Sequence, residues 1–268
     1  MGSIVVIALV VVGLEVRSRL LHDAARAIDA ATALERFRSQ TTIAVITSDA
    51  TSPTPTATDA PVAAPVTPPI GVYRYTTTGT ESIDALGGAT HAYPAETTLT
   101  VTPDGCGVLM RWDLLKERRE EWRLCATTDG VEFETSGLQF HEFFGHVESE
   151  PLSCDHPVLV APADRSPRPP VAPTCTLIGA PWLPTWLVVG ADTRTVDGQT
   201  VPVMHVHMTI TNDSKYFEHT TIDWWVDAHG LPVEMTATKS SLTDSGLVGD
   251  VHYNETYHAV LESLTPLR

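Results

Sequence analysis

From Val72 onward the chain repeats one unit: a short run rich in β-branched and aromatic residues, then a turn signal, with almost no helical periodicity. Val72 to Thr78 alternates and meets Gly79. Thr97 to Thr102 leads through Pro103-Asp104-Gly105 into Cys106 to Trp112. Asp129-Gly130 separates Glu121–Ala126 from Val131–Thr135, and Asp197-Gly198 separates Trp186–Thr195 from Thr200–Thr211. His229-Gly230 lies between His219–Val226 and Leu231–Ser240, and His252–Glu262 closes the series. Asp-Gly pairs between alternating runs are strong hairpin signals. Leu114–Glu121 (LLKERREE) favours a helix locally but equally fits the charged end of a hairpin between Trp112 and Trp122.

Roughly nine to eleven strands without crossover helices exclude a Rossmann or TIM architecture. The expected fold is mainly β: a strongly curved antiparallel sheet, half-barrel or open barrel, with an N-terminal helix. An immunoglobulin-like sandwich is the runner-up, disfavoured because the usual Cys…Trp…Cys framework is missing.

The first 70 residues differ in kind. Ile4–Leu14 is almost unbroken apolar sequence, shorter than the roughly 20 residues that cross a hydrocarbon core. Residues 1–16 are expected to be a membrane anchor or the remnant of a signal segment. Arg17, Arg19 and Arg26 follow this run, so the positive-inside rule alone would leave the remainder in the cytoplasm. Ser18–Arg38 carries Leu20, Leu21, Ala24, Ile28, Ala31 and Leu34 near a 3.6-residue period, so 17–46 is read as an amphipathic or stalk helix. Thr47–Pro69 holds six Thr and six Pro in 23 residues and no aromatic. It cannot bury enough to offset its ordering entropy, so 47–70 is a linker and 71–268 a single β-rich domain.

Acids outnumber bases 33 to 17, and 27 of those acids lie beyond residue 69 against 12 bases. That surface repels phosphate backbones and argues against a nucleic-acid partner. Four cysteines, Cys106, Cys125, Cys154 and Cys175, occur without a CxxC pair. In an exported domain they are disulfides, and sequential pairing would close two short loops, though four cysteines allow three connectivities. Against the charge rule, the cysteines and the Thr/Pro-rich tract tilt the reading toward the cell envelope. The domain would then be membrane-anchored or secreted, with its C-terminal bulk outside the cytoplasm.

The segments VYRYTTTGTESIDALGG and HAYPAETTLTVTPDGCGVLMRWDLLKERREEWRLC, with HEFFGH, resemble an uncharacterised family of actinobacterial membrane-anchored or secreted proteins. DWWVDAHGLPVEMTATKS also resembles a hairpin of LolA/LppX-like lipoprotein carriers. The second resemblance implies a curved half-barrel that cradles acyl chains or lipoproteins. No lipobox cysteine stands near the start, unlike the lipoprotein members.

Candidate sites are few. There is no GxSxG elbow and no Walker or dinucleotide glycine pattern, so no cofactor is expected. His205-Val206-His207 would project two imidazoles from one strand face, with His219 from the next strand and Asp223 nearby as weak metal candidates. The plainer account puts both imidazoles on the wet face while Met204, Val206 and Met208 turn inward. Phe143 and Phe144, between His141 and His146, with Trp182, Trp186, Trp224 and Trp225, supply the aromatic surface of a binding cavity. Large rings also simply fill β cores. The expected function is a noncatalytic extracytoplasmic binding or structural domain, with an apolar small molecule or lipid as ligand. The alternative is a metal-assisted hydrolase built on the His205/His207 face.

Overall fold

Alternation of inward and outward side chains builds nearly everything beyond residue 70. The computed structural model describes residues 25–46, 67–177, 180–212, 215–244 and 249–268, with only the backbone of 41–46 and 180. The apolar run Ile4–Leu14 and residues 47–66 of the Thr/Pro-rich tract lie outside the described residues. Among the described residues, no helix is long and apolar enough to cross a membrane.

Among the described residues one helix, α1 (Ala30–Ile46), precedes the strands. The first group is β1 (Gly71–Ile83), β2 (Ala89–Ala92), β3 (Glu96–Asp104), β4 (Gly107–Asp113), β5 (Arg118–Thr127), β6 (Gly130–Phe143) and β7 (His146–Cys154). Four short strands follow: β8 (Val158–Pro162), β9 (Arg168–Val171), β10 (Cys175–Leu177) and β11 (Ala180–Trp182). Five long ones end the chain: β12 (Thr185–Val196), β13 (Gln199–Asn212), β14 (Glu218–Val226), β15 (Pro232–Asp244) and β16 (Asp250–Leu261). They form a single antiparallel sheet in the order β11-β10-β7-β6-β5-β4-β3-β1-β16-β15-β14-β13-β12-β9. β2 pairs with β1 and β8 with β6. The sheet is a strongly curved half-barrel. The strand count exceeds the sequence expectation because β2 and β7 to β11 are short or lack clear alternation.

Two-residue turns set the long hairpins. Val196 pairs with Gln199 across Asp197-Gly198, whose φ values of 48° and 73° define a type I′ turn. Phe143 pairs with His146 across Phe144-Gly145 in the same way, at 52° and 74°. Leu114–Glu121 resolves as a hairpin end: Leu114 N and Leu115 N both donate to Arg118 O, and β5 begins there.

Pairing of β1 with β16, Tyr75 against Leu261 and Thr80 against Thr256, joins the first and last long strands in the middle of the sheet. Gly79 makes that contact close. Its φ of +144° is one that L side chains avoid, and a Cβ there would sit 2.1 Å from Thr256 O. At the other extreme, the chain between Cys154 and Cys175 crosses the open side of the curve. β8 lies on β6, whereas β9 joins β12, and β8 packs against β12 and β13.

The two faces of β1 belong to different cores. Tyr73 and Tyr75 enter the main interior with Trp112, Leu124, Met208, Trp224 and Tyr257. Val72, turned outward, is covered by Ile28, Ala33 and Phe37. The helix is therefore docked on the outer face, where Arg36 pairs with Asp113 at 2.8 Å and Lys116 N donates to Arg26 O at 2.9 Å. Asp29 caps it: its Oδ1 accepts Thr32 N at 2.7 Å and its carbonyl accepts Ala33 N at 3.1 Å; residues 17–24 of the expected helix lie outside the described residues. Ala25–Asp29 ahead of the cap are not helical.

Both disulfides form between sequential cysteines. Cys106–Cys125 joins the start of β4's hairpin to β5, and Cys154–Cys175 joins the paired strands β7 and β10.

Candidate functional site: an aromatic cavity with a buried charge cluster

The sheet lines a partly open cavity of ≈ 1230 Å³, larger than the roughly 300–1,000 Å³ of most small-molecule sites. Its apolar wall is aromatic. Trp186 stacks on Trp224 at 5.0 Å with planes 7° apart, and Phe133 meets both edge-on at 5.3 and 5.6 Å. Trp122 meets Trp224 edge-on at 6.5 Å, and Met208, Ile210 and Ile222 fill the wall between strands. These positions are neighbours because β5, β6, β12, β13 and β14 each turn alternate residues inward.

Five of the aromatic residues expected from the sequence line this cavity: Phe143, Phe144, Trp182, Trp186 and Trp224. Trp182 is buried and its Nε1 donates to Glu218 Oε1 at 3.3 Å. Phe143 stacks on His91 at 4.6 Å, and Phe144 occupies the tight turn after it. Trp225 does not belong with them. Adjacent residues of a strand face opposite ways, so with Trp224 inward Trp225 lies on the outer face, stacked on His205 at 4.7 Å.

Deeper in the curve the apolar wall gives way to ionised side chains that the sequence reading did not single out. Arg118, wholly buried, donates from Nε to Glu255 Oε1 and from Nη2 to Glu255 Oε2, both at 3.2 Å, and from Nη2 to Glu120. Lys239 Nζ bridges the same two carboxylates, 2.9 Å from Glu120 Oε1 and 3.0 Å from Glu255 Oε2. Tyr93 OH donates to Glu255 Oε1 at 2.6 Å. Glu81, also buried, has His91 Nδ1 at 2.9 Å and His141 Nδ1 at 3.3 Å, and accepts Tyr253 OH at 3.2 Å. Three carboxylates thus face two fixed cations and two imidazoles, on six strands of the sheet.

Burial alone would drive Glu120 and Glu255 toward the neutral acid. For Glu255, Arg118 and then Lys239 overcome that push and hold the carboxyl well below its ordinary range. For Glu120, burial is again opposed, here by Lys239 first and Arg118 second, and the carboxyl is lowered. Burial likewise works against the charged forms of Lys239 and Arg118, but their carboxylate partners keep both raised. Glu150 lacks such a cation, and burial pushes it up. Glu120, Lys239, His141 and Tyr253 line the cavity itself, so the cluster forms its polar end. A bound molecule would meet aromatic rings along most of its length and hydrogen-bonding groups at one end.

The histidines take a different place. His205 and His207 are half-buried on the outer face of β13, alternating with the buried Met204, Val206 and Met208. Asp223 joins them, as its pairing opposite His207 dictates. His219 does not: it pairs opposite Thr211, further along β14, and packs edge-on against Phe217 at 5.5 Å.

Comparison with protein-family models, curated proteins and solved structures finds no match. Function therefore has to come from this chain's own geometry.

Proposed function

We propose that the domain is a noncatalytic extracytoplasmic binding protein whose curved sheet holds an amphipathic molecule. The apolar body lies against Trp122, Phe133, Trp186 and Trp224, and the head points to Glu120, Lys239 and His141. The observation that carries this reading is the ≈ 1230 Å³ aromatic cavity ending in a buried ionised cluster. A core meant only to be filled has no reason to leave such a volume beside the charges it must keep satisfied.

The cavity's charges narrow the head group. Glu134, Glu148, Glu150, Glu218 and Asp244 line it as well as Glu120, whereas Lys239 already serves two carboxylates and Arg123 is paired with Asp104 at 2.5 Å. A free carboxylate would be repelled, so the ligand carries an uncharged or cationic head. The disulfides support an oxidising location outside the cytoplasm, with the N-terminus as the membrane tether. The lipoprotein-carrier resemblance of Asp223–Ser240 is in keeping with a cradle of this kind. The hydrolase alternative has its residues on the outer face, away from this cavity.

Fluorescence of N-phenyl-1-naphthylamine tests the reading. Its emission should rise on binding, and monolaurin or dodecyltrimethylammonium should displace it at concentrations at least about tenfold below dodecanoate, about 1.4 kcal/mol of discrimination. Trp224→Ala, which removes the central ring, should weaken the probe. No emission rise, together with no copurified lipid in native mass spectra of protein from its own host, would leave a structural role instead.

A further inference from the structure

We propose that His205, His207 and Asp223 form a binding site for a divalent late first-row transition ion, zinc or copper, on the outer face of the sheet. This site is separate from the cavity and does not depend on the reading given to it. His205 Nε2 lies 2.6 Å and His207 Nδ1 2.8 Å from the same oxygen, Asp223 Oδ1, and all three ligand atoms lie within 4.8 Å of one another. The arrangement follows from the backbone. Residues two apart on β13 share a face, and the β13–β14 register sets Asp223 directly opposite His207 and diagonal to His205.

The site has the features of a preset ligand group. Trp225 stacks on the His205 ring at 4.7 Å and 10°, and Arg194 covers Trp225 at 4.2 Å, fixing the imidazole plane. Arg194 itself is occupied by Asp192 at 2.7 Å and by Glu234, so its charge is already countered. On the other side of His205 the opposite residue is Gly190, where even an added Cβ would meet no atom within 4 Å. That gap gives an ion and its waters a way in. The three side chains are 21% to 33% exposed, so they are neither sealed from solvent nor free to swing.

Without metal, each imidazole donates its proton to Asp223. A tetrahedral ion at about 2.0–2.1 Å from each ligand atom sets those atoms about 3.3 Å apart. The two imidazole–Asp223 contacts therefore lengthen by about 0.5–0.7 Å, and each imidazole binds the ion through the nitrogen that faced Asp223 while carrying its proton on the other ring nitrogen. Two imidazole nitrogens and one carboxylate favour zinc or copper over magnesium or calcium, which take oxygen ligands. Three protein ligands leave the remaining positions to water or to a ligand from another molecule.

Isothermal titration of the full chain with ZnCl2 in a non-chelating buffer should show one ion per chain at micromolar affinity. His205→Gln and Asp223→Asn should each weaken it at least about tenfold, the low end of what even outer-shell partners cost. His219→Gln should leave it unchanged, and MgCl2 should not compete. Copper electron paramagnetic resonance should show coupling to two nitrogens, lost in a His205→Gln/His207→Gln variant. Because all three side chains sit outside the core, unchanged circular dichroism would confirm that the variants fold. Equal zinc binding by the native protein and the double variant would overturn the site, as would competition by magnesium or no binding at all.

Discussion

Replacing Lys239 with Met removes the ammonium and keeps most of the side-chain volume. Lys239 is 9% exposed and holds Glu120 and Glu255 at 2.9 and 3.0 Å. At an effective dielectric constant of about 20, each contact amounts to roughly 5–6 kcal/mol of Coulomb attraction. Most of this only offsets the desolvation of the ions. Removing one partner of a buried pair costs about 3–5 kcal/mol, here because two buried carboxylates are left to share Arg118 alone. In a domain of about 200 residues that lowers Tm by roughly 6–20 °C. The loss should depend on pH. In the native protein Glu120 is held below its unfolded pKa, so its contribution exists above that value and disappears as pH falls through the folded one. Without Lys239, burial and the neighbouring Glu255 push Glu120 upward against Arg118 alone, so the penalty is greatest at neutral pH and is relieved on acidification. Thermal melts followed by circular dichroism should therefore show the gap between native and variant narrowing from pH 7.5 to 5. Glu120→Gln added to Lys239→Met should restore much of the stability. A variant melting within about 1 °C of the native protein at pH 7.5, or a gap that does not shrink toward pH 5, would refute the argument that this cluster is desolvated.

Three further outcomes follow from other parts of the fold. Cys154→Ser/Cys175→Ser opens a loop with a sequence separation of 21, and should cost about 3 kcal/mol from chain entropy, measured by urea denaturation, with an m-value that rises as the denatured chain expands. Gly79→Ala places a Cβ against Thr256 O at the β1–β16 contact; it should destabilise by about 2 kcal/mol or more and raise hydrogen exchange in both strands. Asp29→Ala removes the cap of α1 and should speed exchange at Thr32 N while leaving the main sheet protected.

Period-two alternation and Asp-Gly turns made the strands, their hairpins and the curved antiparallel class legible in the sequence, since each is a local property of consecutive residues. That the four cysteines form disulfides was legible, but the sequence left three connectivities open; the pairing of β4 with β5 and of β7 with β10 selected the sequential one. Inward direction for the Trp224-Trp225 pair was legible only as a choice of one ring, and the register made it Trp224. The strand face shared by His205 and His207 was readable from spacing, but Asp223, not His219, completes it because only the β13–β14 pairing decides which residues stand opposite.

The buried charge cluster could not be read at all. Glu81, Arg118, Glu120, Lys239 and Glu255 come from four strands separated by up to 174 positions, and a charge in an alternating strand ordinarily marks the solvent face. LLKERREE looked like a wet hairpin end, yet Arg118 and Glu120 point inward. Only the closure of β1 onto β16, together with β15 and β5, brings opposite charges near enough to stay ionised without water. Local sequence therefore determined which segments are strands and where they turn. Long-range pairing decided which face became the interior, because burial of a charge depends on partners that the chain supplies only after it has folded.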